Sequence, residues 1–504
     1  MTTATASPPK DLETIAARAA AAAAPFAAAA PAERARALVA VAEALEQHAD
    51  ELLAIAMPET GLTEARLRGE LERTGLQLRL FADTIVDGGY LDVRIDRADP
   101  DFLLGPRPDV RRYLIPVGPV LNFAASNFPF AFSVAGGDTA AALAAGCPVI
   151  LKAHPGHPEL SRRTAELVVD ALAGAGMPDG VFELVMGQDD GVAILTDPRV
   201  RAASFTGSTH AGRILADIAA ARTAPIPFFG ELGSVNPVFV TLAALAERGP
   251  ELAAGYVGSV AGSAGQLCTK PGFVFVPVGH ALEDGIVEAA TSVAPHRLLN
   301  PRIASGYTAR RDVILAADGV RIIAQGSVRI DGDGQGWVTP TIVAVSLDGL
   351  VAAREELLDE CFGPLSILVE FETGTDLAAL VPELFPGNLT ATVYTGAGEV
   401  ADASLRALVR VLTEHAGRVL FDGWPTGVAV TPAMQHGGPW PATTNDSSTS
   451  VGTAAIARFL RPVSYQAAAE ALLPEPLRLA NPWGVPQSFA DPGESARWGS
   501  AAIA

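Results

Sequence analysis

Cysteine is scarce in this chain of 504 residues, which contains only Cys147, Cys268 and Cys361. Three is an odd number and too few to cross-link a chain of this length, so a disulfide-stabilised scaffold is excluded. This cysteine usage is typical of the reducing cytoplasm, which is the location that we predict. The eight histidines show no metal-ligand spacing with the cysteines, and we expect no metal site.

Long uninterrupted hydrophobic runs are also missing, although 49% of the residues are hydrophobic. The longest apolar stretches are interrupted, for example by Asp138 and by the Gly136-Gly137 pair, and none reaches the ~18 residues of a membrane span. The amino-terminal sequence MTTATASPPKDLE has no basic segment that leads into a compact apolar one. We therefore expect neither a membrane span nor a signal peptide.

Positive charge is in deficit, with 36 Lys and Arg residues against 56 Asp and Glu residues and a net charge of −20. A surface this acidic repels phosphate backbones and anionic lipids, so we predict no nucleic-acid partner and no membrane partner. Lysine is nearly absent and occurs only as Lys10, Lys152 and Lys270. A lysine retained in an arginine-rich chain points weakly to a site that needs a compact ammonium group.

The patterns that are present indicate an α/β protein. Apolar residues recur at helical spacing from Asp11 to about Ala56 and again over Glu64–Asp83. From residue 119 onward short apolar strands alternate with helices, which predicts doubly wound parallel sheets with crossover helices. The predicted strands are Pro119–Phe123, Val149–Lys152, Gly180–Val185, Ala202–Thr206, Val238–Val240, Phe273–Val278 and Leu365–Phe371, and the predicted helices include Phe130–Ala145 and Glu159–Ala175. Residues Tyr90–Tyr113 alternate differently and predict an antiparallel arm.

Cys268 is the first candidate for chemistry. It lies in the segment GSAGQLCTKPG, where small residues and a following turn leave a thiol accessible, whereas Cys147 lies in an apolar run typical of an inert cysteine. Glu231, at the end of the apolar run in PFFGELGSVNP, is a candidate general base whose pKa burial would raise. Asn127 in NFAASNFPF can donate to a developing oxyanion. Taken singly, each of these residues is more commonly a core, cap or turn residue.

The segment ASFTGSTHAGRI predicts a strand, a turn and the start of a helix. Gly207 and Gly212 flank the helix start, and Ser208 supplies a capping hydroxyl. Free backbone amides at such a helix end suit a pyrophosphate, although this spacing alone is weak support.

Together these segments resemble the aldehyde dehydrogenase superfamily over nearly the whole chain, with the motifs FTGSTHAG, GELGSVNP, GQLCT and ECFGP in order. The resemblance implies an α/β fold of two doubly wound parallel-sheet domains and a small antiparallel oligomerisation arm. The expected domains are an NAD(P)-binding domain of residues 1–92 and 116–232 and a catalytic domain of residues 233–450. Residues 93–115 and 451–504 form the expected arm and tail, through which we predict a homodimer or homotetramer.

The resemblance also implies the role of each catalytic residue. Cys268 attacks an aldehyde to form a thiohemiacetal and then a thioester, while Asn127 and the backbone N–H of Cys268 hold the oxyanion. Glu231 activates the hydrolytic water. Lys152 contacts the adenosine ribose, and we also predict it to be a catalytic residue. Ser208 meets the pyrophosphate, Glu360 binds the nicotinamide ribose, and Phe362 packs against the ring. The full set of predicted cofactor residues is Lys152, His154, Pro155, Gly187, Gly207, Ser208, Gly212, Leu232, Glu360 and Phe362.

Two departures from the family pattern bear on cofactor choice. Pro155 stands where NAD-preferring relatives often have a glutamate, which relaxes discrimination against a 2′-phosphate. In contrast, the loop 187–191 contains Asp189 and Asp190, which would repel that phosphate. We predict use of NAD or NADP, with a slight lean to NAD.

Within the superfamily, KAHPGHPELS and MQHGGPWPATTNDSSTSVGTAAIARFLRPVSYQ resemble the subgroup that contains α-ketoglutarate semialdehyde dehydrogenases. The predicted substrate is therefore α-ketoglutarate semialdehyde, and no arginine for its carboxylate is evident from the sequence. The predicted substrate residues, for which ordinary core packing is an equal alternative, are Phe128, Phe132, Thr426, Gly427 and Val428. The alternatives left open are a medium- or long-chain fatty aldehyde dehydrogenase and an inactive binding protein on the same scaffold. Glu231 argues against a CoA-acylating relative.

Overall fold

A computed structural model describes residues 11–500 of the chain. Residues 1–10, which include Lys10 and most of the segment considered as a signal peptide, and residues 501–504 of the predicted tail lie outside this description. Between residues 11 and 500, no helix is both long enough and apolar enough to cross a membrane.

The helices and strands follow one another along the chain in the predicted alternation. The α-helices are α1 (Leu12–Ala28), α2 (Pro31–Gln47), α3 (Ala49–Thr60), α4 (Glu64–Asp87), α5 (Gly137–Ala145), α6 (Pro158–Gly174), α7 (Gln188–Thr196), α8 (Thr209–Ala220), α9 (Leu242–Ala261), α10 (Glu283–Thr291), α11 (Pro301–Ala316), α12 (Leu347–Ala352), α13 (Arg354–Leu357), α14 (Leu377–Leu384) and α15 (Ala403–His415). The strands are β1 (Val93–Asp96), β2 (Val110–Pro116), β3 (Val120–Phe123), β4 (Val149–Lys152), β5 (Phe182–Val185), β6 (Ala202–Thr206), β7 (Phe228–Glu231), β8 (Val238–Val240), β9 (Phe273–Pro277), β10 (His296–Arg297), β11 (Arg321–Ala324), β12 (Val328–Ile330), β13 (Gly336–Val338), β14 (Thr341–Ser346), β15 (Leu365–Phe371), β16 (Asn388–Tyr394), β17 (Ala416–Phe421), β18 (Leu460–Gln466) and β19 (Gln487–Ala490). Each predicted strand is confirmed to within two residues at either end.

The first sheet is parallel throughout and has the strand order β5-β4-β3-β6-β7. Helices α2, α4, α5 and α6 pack together on it around one apolar core. The carboxyl ends of its parallel strands lie at one edge, where ligands of open α/β sheets bind. Lys152 and Glu231 end β4 and β7, Asn127 follows β3, and Ser208 follows β6. The topology therefore brings these four predicted residues to the same edge.

The second large sheet has the order β11-β14-β15-β9-β8-β16-β17. All its neighbouring strands are parallel except β11, which pairs antiparallel with β14 at one edge. Strands β10, β13 and β12 form a small antiparallel sheet. The first sheet ends at Glu231 and the second begins at Val238, while the domain boundary near residue 232 stays a prediction.

The arm sheet has the order β18-β2-β1-β19. Strand β2 pairs antiparallel with both β1 and β18, as predicted for an antiparallel arm. Strand β19 differs, because it pairs parallel with β1 and makes the sheet mixed. Residues 487–490, within the segment predicted as arm and tail, therefore belong to the arm sheet.

The predicted helix Phe130–Ala145 is wrong in its first half, because α5 begins only at Gly137. Gly137 has φ +50°, a left-handed conformation that ends any helix started earlier. The backbone N–H groups of Phe130 and Ala131 donate instead to Glu70 Oε1, at 2.8 and 2.9 Å. Phe128 and Phe132 consequently lie in an irregular loop rather than at the start of a helix.

Candidate active site

Three side chains from distant parts of the chain meet at the centre of the site. Cys268 Sγ lies 3.5 Å from His436 Nε2, and the same nitrogen lies 3.0 Å from Glu231 Oε1. The other carboxylate oxygen of Glu231 accepts a hydrogen bond from Ser450 Oγ. Glu231, His436 and Ser450 are buried, whereas Cys268 is partly exposed. The predicted nucleophile and the predicted base are thus adjacent, with His436 bridging them.

Glu231 is ionised more readily than the sequence suggested. Burial raises its pKa, but the charge of His436 and hydrogen bonds from His436, Ser450 and Cys268 together lower the pKa below its ordinary value. The expectation of a raised pKa for Glu231 is therefore wrong. The physical reason is that His436, Ser450 and Cys268 all offer hydrogen bonds to a carboxylate that was predicted to be merely desolvated.

The thiol of Cys268 behaves in the opposite way. Burial raises its pKa well above the ordinary value, and the negative charges of Glu231 and Glu360 raise it further. Burial also raises the pKa of Cys147 to about 12 and that of Cys361 to about 11. What distinguishes Cys268 is therefore a proton acceptor in contact, because the thiol can lose its proton as it attacks.

Asn236 holds the loop that carries Cys268. Its Nδ2 donates to the carbonyl oxygens of Cys268 and Lys270, at 2.8 and 3.0 Å. On the other side of this loop, Asn127 Nδ2 donates to the carbonyl oxygen of Gln266 at 3.1 Å. The amide predicted to hold the oxyanion thus lies beside the cysteine loop, and its oxyanion role stays a prediction.

A separate loop carries His436 and Ser450. The N–H of His436 donates to Thr449 Oγ1 at 2.9 Å, and the N–H of Ser450 donates to the carbonyl oxygen of His436 at 2.8 Å. This loop meets the end of β7, where the N–H of Leu232 donates to the carbonyl oxygen of Ala442 at 2.8 Å. Sequence reasoning missed His436 and Ser450, and the available signal was a lone histidine beside two glycines in a polar segment.

The predicted pyrophosphate site lies at the start of α8. Ser208 Oγ accepts from the N–H of Ala211 at 3.3 Å and so acts as the predicted cap. A Cβ added at Gly212 would lie 2.1 Å from Leu232 Cδ2, so only glycine lets the first turn approach the end of β7 this closely. Gly207 is similarly crowded by the ring of Phe205.

The predicted adenosine end contains Lys152, whose side chain makes no hydrogen bond within residues 11–500, and burial lowers its pKa. His154 follows it, and burial with the nearby charges of His157, Lys152 and Arg302 lowers the pKa of His154 to about 3. Pro155 is exposed, and Gly187 caps the start of α7 beside Asp190.

Glu360 lies next to the segment that follows β7. A Cβ added at Gly233 would be only 2.5 Å from Glu360 Oε2. Burial raises the pKa of Glu360 to about 7, and the charge of Lys270 only partly opposes this. Within the described part of the chain Glu360 makes no hydrogen bond, and Phe362 is partly buried two residues later. Gly265, with φ +66°, precedes Cys268 and is in tight contact with Gly363. The loop of Glu360 therefore packs directly against the loop of Cys268.

The predicted substrate residues divide into two groups. Phe128, Phe132 and Val428 pack in one apolar cluster, and the two phenylalanine rings are 5.3 Å apart. The ring of Phe132 lies 6.4 Å from that of His436, so this cluster adjoins the reacting residues. Thr426 and Gly427 form the second group. Thr426 Oγ1 accepts a hydrogen bond from Ser259 Oγ, and the carbonyl oxygen of Gly427 accepts one from Arg418 Nη1.

Comparison with known proteins identifies the family. The sequence profile of the aldehyde dehydrogenase family matches residues 1–439. The chain belongs to the aldehyde dehydrogenase family. It is 40% identical over 454 residues to the α-ketoglutaric semialdehyde dehydrogenase of Acinetobacter baylyi, covering 89% of this chain and 85% of that protein. It is 44% identical to α-ketoglutaric semialdehyde dehydrogenase 2 of Azospirillum brasilense, covering 90% of this chain and 88% of that one.

A solved structure agrees with this membership. The crystal structure of the NAD-dependent aldehyde dehydrogenase from Sinorhizobium meliloti superimposes with a TM-score of 0.73 at 25% identity, covering 92% of this chain and 88% of that one. The predicted fold of the aldehyde dehydrogenase family is thereby confirmed.

Proposed function

We propose that the chain is an NAD(P)-dependent aldehyde dehydrogenase that oxidises α-ketoglutarate semialdehyde to α-ketoglutarate. The observation that carries the chemistry is the contact series from Cys268 Sγ through His436 Nε2 to Glu231 Oε1, at 3.5 and 3.0 Å. The substrate assignment is supported by the 40% and 44% identity to the two enzymes that bear this activity in their names.

Cys268 reacts as a thiol that loses its proton during attack, because its raised pKa disfavours a resting thiolate. Glu231 is ionised because its pKa is lowered, and its carboxylate lies within 4.8 Å of Cys268 Sγ, so it can receive that proton. The sulfur bonds to the aldehyde carbon to form a thiohemiacetal, whose oxyanion faces Asn127 and the N–H of Cys268. NAD(P), when bound, would accept the hydride, which leaves a thioester on Cys268. Glu231, after passing the thiol proton on to solvent, takes a proton from the water that hydrolyses the thioester.

His436 is proposed as a further catalytic residue. Its Nδ1 is buried without a hydrogen-bond partner among residues 11–500, which favours the tautomer that carries the proton on Nε2. That proton faces both Glu231 and Cys268, so His436 orients the carboxylate and stabilises negative charge on either group.

The residues of the cleft fit a dinucleotide. The α8 amino terminus, with its glycines and Ser208, offers N–H groups to a pyrophosphate, and the underpaired Lys152 and Glu360 can meet ribose hydroxyls. NAD(P) supplies the hydride acceptor when it is bound. Either form is expected, with a slight lean to NAD because Asp189 and Asp190 begin the neighbouring helix.

The assembly is proposed to be a homodimer or a dimer of dimers that acts in the cytoplasm. Strand β18 forms one end of the arm sheet and, within the described residues, pairs only with β2. A cleft of about 690 Å³ lies beside it, lined in part by Arg458, Leu460 and Arg461. An open strand edge beside a cleft suits pairing with a second copy. Light scattering that gives only the 51.9 kDa chain mass at micromolar concentration would contradict this.

The first experiment measures NADH and NADPH formation with four aldehydes: α-ketoglutarate, glutarate and succinate semialdehydes and dodecanal. We expect kcat/KM to be at least roughly tenfold higher for the α-keto substrate, about 1.4 kcal/mol of discrimination. Cys268→Ala abolishes the reaction, and the control Cys147→Ala, which alters a buried thiol outside the site, retains it. Preference for dodecanal would indicate a fatty aldehyde dehydrogenase, and no reduction with any aldehyde would indicate an inactive scaffold.

A further inference from the structure

Two arginines of helix α4 lie against the phenylalanines of the site. The guanidinium carbon of Arg66 is 4.5 Å from the ring centroid of Phe128, and that of Arg73 is 5.3 Å from the ring centroid of Phe132. The two arginines are seven residues apart and therefore share one face of the helix. Cations consequently flank the aromatic pair along one side.

The positive charge of this group is only partly balanced. Arg66 Nη1 donates to Glu70 Oε2 at 2.5 Å, while Glu70 Oε1 is occupied by two backbone N–H groups. The side chain of Arg73 makes no hydrogen bond and no ion pair within residues 11–500, and its Nη1 is enclosed without a partner. The group of Arg66, Glu70 and Arg73 therefore contains one positive charge that no acid pairs directly.

Arg73 differs in this respect from the other arginines of its helix. Arg68 donates to Glu64 and Asp50, and Arg79 donates to Glu46 through both terminal nitrogens. A half-buried guanidinium without an acidic partner is costly, and an anionic ligand that pairs with it would remove this cost. Burial lowers the pKa of Arg73, yet an arginine remains a cation at neutral pH.

The unpaired charge lies within electrostatic reach of the reacting thiol. The ring of Phe132, on which Arg73 lies, is 6.4 Å from the ring of His436, and His436 Nε2 is 3.5 Å from Cys268 Sγ. Negative charge on Cys268 or Glu231 also acts on Arg73, which places the three groups within electrostatic reach of one another.

A second arginine near the thiol, Arg418, already donates hydrogen bonds to backbone carbonyl oxygens. Arg418 also lies within electrostatic reach of Cys268. Its two terminal nitrogens, however, donate to the carbonyl oxygens of Gly427 and Pro425, each at 2.7 Å. The guanidinium of Arg418 thus holds residues 425–427, whereas the guanidinium of Arg73 has N–H groups without an acceptor.

We propose that Arg73, seated on the ring of Phe132, binds the carboxylate of a short acidic aldehyde while its aldehyde carbon meets Cys268, and that Arg66 adds to the positive field. The inference rests on the proposed function and names the group that selects the substrate class. A planar guanidinium can donate two parallel N–H groups to a carboxylate, which fixes both the orientation of the substrate and its charge. The phenylalanines would then pack against the carbon chain between the two ends.

The test compares α-ketoglutarate semialdehyde with pentanal, a neutral aldehyde with the same number of carbons, in wild type and Arg73→Met. We expect Arg73→Met to lower kcat/KM for the semialdehyde by about 10- to 100-fold, chiefly through KM, because two charge-assisted hydrogen bonds are lost. Pentanal has no carboxylate to bind, so we expect its kcat/KM to fall much less, and the ratio of the two kcat/KM values should fall by about tenfold or more. Arg68→Met is the matched control on the same helix and leaves both substrates unaffected.

Inhibition of pentanal oxidation by glutarate is measured in parallel. If the carboxylate binds Arg73, glutarate inhibits wild type competitively and Arg73→Met at least about tenfold more weakly, whatever the natural substrate is. A wild type that does not favour the semialdehyde over pentanal overturns the proposed substrate only. Equal glutarate inhibition, or an unchanged substrate ratio, in Arg73→Met overturns the role of Arg73. If Arg73→Met is unstable, Arg73→Gln is used in the same two assays and is judged by the same results.

Discussion

Two regions of the cleft each contain one glutamate, Glu231 or Glu360. The pKa of one carboxyl group is lowered and that of the other is raised. At the end of β7, burial raises the pKa of Glu231, but His436, Ser450 and Cys268 lower it below the ordinary value. In the loop after α13, burial raises the pKa of Glu360 to about 7, with Lys270 opposing only in part. The number of donors that reach each carboxylate accounts for the difference.

This contrast shows how one cleft holds two carboxyl groups for two tasks. Glu231 is surrounded by protein donors and is ready to accept a proton from sulfur or water. Glu360 has no protein hydrogen bond within residues 11–500, so its oxygens remain available to a ligand. Pairs of titratable groups whose surroundings separate their pKa values are typical of active sites.

Glu231→Gln breaks the first region most severely. The amide keeps the shape but cannot accept the proton of the attacking water, so we expect kcat to fall by about 10²- to 10⁴-fold. Acylation should slow as well, since Glu231 also takes the thiol proton, but an acyl group that forms on Cys268 should persist and be seen as an added mass on the intact protein. The control Glu360→Gln should show no trapped acyl group. A steady-state rate for Glu231→Gln close to wild type would contradict the role of this residue.

His436→Gln tests the origin of the lowered pKa. Removing His436 and its hydrogen bond raises the pKa of Glu231, so the acid limb of the kcat profile should move to higher pH, with kcat/KM about 10- to 100-fold lower at neutral pH. Ser450→Ala removes one hydrogen bond but no charge and should move the limb less in the same direction. An unmoved limb in His436→Gln would restrict this histidine to a structural role.

The smallest effect is expected in the second region. If the ionised form of Glu360 binds ribose hydroxyls, a pKa of about 7 in the free protein makes cofactor affinity rise with pH. Calorimetry on Cys268→Ala should give a Kd for NAD that falls about tenfold from pH 6 to pH 8. Glu360→Gln, made in the same background, should remove this dependence. A pH-independent Kd before that change would exclude Glu360 from ribose binding.

Much of the architecture was predictable from local pattern. The strands from β3 to β9 follow from short apolar runs between turn residues, and their order along the chain implies parallel sheets. The helix predicted over residues 130–145 failed in its first half because Gly137 takes a left-handed φ of +50°, which the spacing of apolar residues does not reveal. The parallel pairing of β19 with β1 was also beyond local pattern, because it joins residues 487–490 to residues 93–96, which are far apart along the chain.

By itself, the sequence determined which chemistry is possible, since Cys268, Glu231 and Asn127 stand in recognisable motifs whose residue types suit a thioester reaction. Only the tertiary structure decided how those groups ionise and what surrounds them. His436 is 168 residues from Cys268, and Ser450 is 219 residues from Glu231, yet they set the pKa of the base. Arg73 likewise comes from α4 to lie on the ring of Phe132. Electrostatic and hydrogen-bond energies depend on distance in space and on burial, and separation along the chain encodes neither.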